Sequence, residues 1–155
     1  MNELLCMERV NNDEIFSDTI LKNEYLICRE LKDLNSAVCS AKLEYIPIEI
    51  FKESFLKIAR AAKDRHWNSF IFDKSALTTF HQPSMEWYYT EWKKMLTENG
   101  LNVHYKILPP LKWFERSVEA GKHEITKKHP DFDFTIFSVH YVSDLDEAIN
   151  SIKNN

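Results

Sequence analysis

The sequence predicts an α/β fold, a single mixed, mostly parallel sheet of about five strands with about four helices packed on it, in the order ββαβαβαβα. Three observations predict it. Short β-rich runs alternate with helical periodicities from residue 24 onward. The run "SFIFD" at 69–73 is almost wholly apolar, which suits a strand covered on both faces. Proline, serine and Asn-Gly signals punctuate the helical segments.

Each element follows from its residues. Residues 1–20 carry no clear pattern and read as an N-terminal extension, which leaves 21–155 as one domain. The runs at 25–31 and 37–45 form a hairpin around Lys32-Asp33-Leu34-Asn35-Ser36. Pro47 opens a helix in which Ile50, Phe51, Phe55, Ile58, Ala59 and Ala62 recur at three- and four-residue intervals. After the central strand, Pro83 and Ser84 open a helix that Asn99-Gly100 stops in a left-handed cap. A strand at 102–108 leads into a helix at 111–128, bounded by Pro109-Pro110 and His129-Pro130. A strand at 132–140 and a helix capped by Ser143-Asp144 complete the order.

Composition removes whole classes of chemistry. The 155 residues include only two glycines, Gly100 and Gly121, where average usage would give roughly 11. Neither a dinucleotide fingerprint nor a P-loop can be written with two. A net charge of −4 gives no broad positive face for nucleic acid. Residues 1–23 are acidic and lack the apolar run of a signal peptide, and no stretch approaches the length of a spanning helix, so the expectation is cytoplasmic residence. Cys6, Cys28 and Cys39 are too few and too irregular for a disulfide framework or a zinc site. Cys28 and Cys39 fall on the two hairpin strands and are expected to be reduced, close together and inert.

The stretch "FIFDKSALTTFHQPSMEWYYTEWKKML" resembles the middle of a STAS domain, the fold of bacterial anti-sigma-factor antagonists, and more closely its SpoIIAA-like/STAS-like subgroup. The opening "NEYLICRELKDLNSAVCSAKLEYIP", the Asp ending the central strand, "MEWYYTEW" and the closing "SDLDEAINSI" follow in the order found in that group. The resemblance implies a non-enzymatic binding or regulatory module with no cofactor. A carrier of a small apolar or lipid-like ligand is the alternative, by analogy with the CRAL-TRIO fold, and a small enzyme of unknown chemistry is the third reading. The antagonists' phosphorylated serine lies in an Asp-Ser-Ser-Gly-like motif. The matching place reads His81-Gln82-Pro83-Ser84, without the acid or the glycine, so Ser84 is expected to cap the helix.

Asp73, Ser75, His81 and Ser84 fall on the connection after the central strand, at the carboxyl end where open sheets place ligands, and are the candidate contacts. No Gly-x-Ser-x-Gly elbow supports a hydrolase. His123 and His129 are six apart, the wrong spacing for one metal on a helix, and no metal site is expected there or at His66, His104 and His140. On the second helix Met85, Tyr89, Trp92 and Leu96 form the inner stripe, leaving Trp87 and Tyr88 turned away; on the third, Trp113 lies beside the stripe Leu111, Phe114, Val118 and Ile125. These outer rings either cover the sheet margin or form a patch for a partner. The partner expected is a second copy in a homodimer, with Trp87, Tyr88 and Trp113 at the contact.

Overall fold

A computed structural model describes residues 15–154. The extension expected at 1–20 lies outside the described residues as far as residue 14, and so does Cys6. Strand β1 (Phe16–Lys22) begins within that stretch and belongs to the sheet. It is followed by β2 (Leu26–Leu31), β3 (Ser36–Ala41), α1 (Ile48–Arg65), β4 (Ser69–Asp73) and a continuous helix α2. Helix α2 starts as α (Gln82–Trp87), widens into π turns (Tyr88–Lys93) and returns to α (Lys94–Glu98). Then come β5 (Val103–Ile107), α3 (Lys112–Lys128), a 3-10 turn (Phe134–Ile136), β6 (Ser138–Tyr141) and α4 (Leu145–Lys153).

The strands lie side by side in chain order, β1-β2-β3-β4-β5-β6. The pairs β1–β2 and β2–β3 are antiparallel, and the remaining three are parallel. The sheet is therefore mixed, with one strand more, and a larger antiparallel part, than the sequence predicts. The extra strand is β1, an edge strand with polar residues and two breaks in register, a form that shields an open edge from further pairing. Arg65 at the end of α1 ties it down through Asp18 at 2.8 Å and Glu30 at 2.9 Å. The last strand is shorter than expected, because Asp133 accepts the Thr135 N–H and bends the chain into a 3-10 turn before β6.

Two cores result, one on each face. Side chains of α1, α2 and α3 share the larger core with Phe70 and Phe72 of β4 and Cys28 and Cys39 of the hairpin. The other holds Leu31, Val38, Ile71, Tyr105 and Ile107 beneath Ala148 and Ile149 of α4. Phe70, Ile71 and Phe72 are all buried, as expected of a strand sandwiched between helices. Cys28 and Cys39 face each other in register as buried free thiols, and burial first, then Cys28 beside it, pushes the Cys39 thiol well up. Gly121 lets α3 pass close to the start of α2. A Cβ there would stand 2.6 Å from the Met85 sulfur and 2.7 Å from the Gln82 Oε1.

Candidate functional site

Strand β4 ends at Asp73, and the loop to α2 turns back over the carboxyl edge of the sheet. Thr78 N–H donates to the Glu44 carbonyl, which stitches this loop to the one before α1. The two loops and the first turns of α1, α2 and α3 enclose a narrow cleft with a cavity of about 60 Å³, its open mouth aside. Its walls are Tyr45, Ile46, Phe51, Phe72, Leu77, Phe80, Met85, Tyr88 and Phe114, with Lys74, Thr79, His81 and Ser84 as polar members. That is the usual make-up of a small-ligand site, a mainly apolar concavity with a few polar groups.

The four sequence candidates separate into two pairs. Asp73 accepts from the backbone N–H of Ser75 at 3.0 Å and from its hydroxyl at 2.6 Å, closing an Asx turn outside the cleft wall. His81 and Ser84 line the cleft, with His81 Nδ1 2.8 Å from the Ser84 Oγ. No hydrogen bond joins the two pairs among the described residues, so they form no relay. Ser84 is not the capping residue expected. His81 occupies the N-cap position and the Ser84 hydroxyl is taken by its ring.

The outer-face reading of Tyr88 is corrected. Tyr88 is only 2% exposed and stacks on Trp92 at 5.0 Å, inside the larger core. The cause is the π segment: bonds spanning five residues widen the turn and bring Tyr88, Tyr89, Trp92 and Lys93 inward together. Trp87 is half-buried, edge-on to Phe51 at 6.0 Å. Trp113, 45% exposed, is the one of the three interface candidates that lies open.

The same π turn delivers the feature that the sequence reading missed. Lys93 and Lys106 are buried, at 0% and 1% exposure, and Lys74 is half-buried beside them. All three ammoniums gather around the Tyr88 ring: Lys106 at 4.9 Å from its centre, Lys93 at 5.3 Å and Lys74 at 5.6 Å. Lys106 donates to the Tyr89 hydroxyl at 2.8 Å, whereas the Lys93 Nζ, the Tyr88 hydroxyl and both His104 ring nitrogens have no hydrogen-bond partner among the described residues. Among the described residues none of the three lysines forms an ion pair with a carboxylate.

The electrostatic consequence follows. Burial first and the neighbouring ammoniums second lower the Lys93 and Lys106 pKa well below the lysine norm, and Lys74 is pushed down to about 8. Burial likewise keeps His104 neutral and raises the Tyr88 and Tyr89 phenols. Strand β5 supplies the only sequence signal. "VHYKI" alternates apolar with polar, a pattern that predicts the polar set in solvent, yet His104 and Lys106 point under α2 and Tyr105 under α4. His104, read as a surface or satisfied residue, is buried and unsatisfied.

Outside the cleft, His129 and Lys128 both hold Glu86, at 2.9 and 3.3 Å, pinning the end of α3 to the start of α2. No helix among the described residues is long and apolar enough to cross a membrane. No family model, curated protein or solved structure matches this chain.

Proposed function

We propose that this chain is a STAS-like binding module that holds a small ligand in the cleft at the carboxyl edge of β3 and β4. The observation that carries the proposal is the cleft itself: ring-lined, open at one end, with Lys74, His81 and Ser84 on its wall. The STAS-like part is supported by the placement of the quoted segments. The opening run is the β2–β3 hairpin, Asp73 ends β4, "MEWYYTEW" lies in α2 and "SDLDEAINSI" is the capped α4. A binding role rather than a hydrolytic one is favoured because Asp73 is committed to Ser75, away from His81. The carrier reading shares the cleft and differs in what fills it.

Native mass spectrometry of the gently purified full chain tests the proposal. The expected result is a co-purifying small molecule that is lost in Thr79→Trp, where the added ring covers the mouth. A wild-type spectrum of bare protein, together with no mass gained on exposure to a cell extract, overturns it.

A further inference from the structure

Among the described residues the cleft wall carries one lysine and no carboxylate. Lys74 follows β4 directly, its backbone N–H donating to the Ile107 carbonyl at 2.8 Å, so its Cα is fixed by the sheet while its ammonium stands 5.1 Å above the Phe72 ring and 5.6 Å from the Tyr88 ring. Both rings line the cleft. Behind Tyr88 stand Lys106 and Lys93, within 4.5 Å of the centre of the Tyr89 ring. Lysines from the end of β4, from β5 and from α2 thus meet in one low-dielectric spot with ring faces as their neighbours. Ring faces offset only part of the cost of burying an ammonium, and an anion is the group whose entry would lower it most. Tyr88 adds a second argument, because its hydroxyl is buried without a partner although the residue lines the cleft. A buried hydroxyl usually has a partner, and a ligand acceptor would supply one.

We propose that the inner end of the cleft takes the anionic head of an amphipathic ligand, a carboxylate or a phosphate monoester, between the Lys74 ammonium and the Tyr88 hydroxyl. Lys106 and Lys93 stand behind them, and the rings of Phe51, Phe72 and Phe114 hold the apolar body. The inference rests on the cleft reading above and narrows it from any small ligand to a charged one. A neutral body alone would gain nothing from the lysines; an inorganic anion alone would leave the rings unfilled.

The test is calorimetric titration of the full chain at pH 7 with octanoate, octyl phosphate and 1-octanol. The expected result is at least tenfold tighter binding of one of the two anions than of 1-octanol, the preferred one identifying the head group. In Lys74→Met that preference falls to within threefold, and Lys106→Met reduces it by a smaller factor. Equal wild-type affinity for all three probes overturns the anionic head and leaves the cleft reading standing. Binding of 1-octanol that Thr79→Trp does not weaken overturns the cleft itself. The wild-type comparison needs no variant to fold, and anion preference that survives in a folded Lys74→Met also overturns the inference.

Discussion

The two faces of the sheet share six strands and bury opposite chemistry. Under α1, α2 and α3, Phe55 lies against Phe70, Phe72, Tyr88 and Trp92 at centroid separations of 5.0–6.3 Å. Among the described residues, four of the five buried side-chain polar atoms without a partner also lie among these helices or beneath them. Under α4 the core is smaller and made of Leu, Val, Ile and Ala with Tyr105, whose hydroxyl accepts from Ser151 at 3.2 Å. The difference teaches where function can reside. The aliphatic face leaves little unsatisfied, whereas the ring-lined face keeps buried lysines without carboxylate partners among the described residues, at some cost in stability.

The largest expected effects test whether that aromatic face is the main core. Phe55→Ala should destabilise by about 3–5 kcal/mol, since the deleted ring leaves a void among five others, Phe51 included. On the opposite face Ile149→Ala, at the rim of the α4 core, should cost about 2 kcal/mol, the low end for such a deletion. Urea unfolding of both variants measures the contrast. Equal losses would mean that the two faces are comparable cores.

Lys93→Met sharpens the comparison from the other direction. In an ordinary core a substitution at a fully buried residue destabilises. Here a buried amine without a hydrogen-bond partner among the described residues is replaced by an apolar chain of similar length, and a gain of about 1–2 kcal/mol is expected. A loss in urea unfolding would show that Lys93 stabilises the core.

Burial of charge also gives the ring-lined face a pH dependence. An unfolded lysine keeps its proton to about pH 10.4, whereas Lys74 releases it near 8 and burial holds Lys93 and Lys106 well below the lysine norm. Between neutrality and that value the unfolded chain binds more protons, so stability rises with pH, by about 1.4 kcal/mol per unit for each proton of difference. The Cys39 thiol opposes the rise above about pH 9, and the Tyr88 and Tyr89 phenols above about pH 10, because these groups stay protonated when folded. Urea midpoints should climb from pH 7 to about 10 and level there, where the two phenols and the thiol together offset the three lysines. Lys93→Met should flatten the climb; an unchanged slope in that variant would remove Lys93 from its cause.

These contrasts also explain what could be read in the sequence. Helices α1, α3 and α4 and strand β4 are written in local terms, by three- and four-residue apolar spacing, by Pro47 and Asp144 at starts, and by an unbroken apolar run. The edge strand β1 is not, because its pairing depends on β2 and on Arg65 nearly fifty residues away. The connection after β4 was legible as a place, and His81 and Ser84 do line the cleft. The lysines were not legible, since a lysine in "EWKK" or "HYKI" is by composition a solvated residue. Only the π turn in α2 and the sense of alternation in β5 turn Lys93 and Lys106 inward, and both are settled by packing across the sheet. Tyr88 was misassigned for the same reason, an α-helical period applied where the turn is wider.

The smallest effect tests how firmly the aliphatic face is closed. Helix α4 has nine residues, below the length at which an isolated helix is stable in water, so its order depends on Ala148 and Ile149 docking on the sheet and on its start being fixed. Asp144 fixes that start. Its side chain accepts the Glu147 N–H at 2.8 Å, satisfying one of the free donors of the first turn and placing a negative charge at the positive end of the helix. Asp144→Ala should therefore cost about 1 kcal/mol. Because α4 covers a small core that the helices of the other face do not touch, the loss should be local. Hydrogen exchange should accelerate in α4 with little change at Phe70 and Phe72. Acceleration spread equally through β4 and α2 would show instead that the two faces unfold as one unit, and that the division drawn between them holds for chemistry and not for cooperativity.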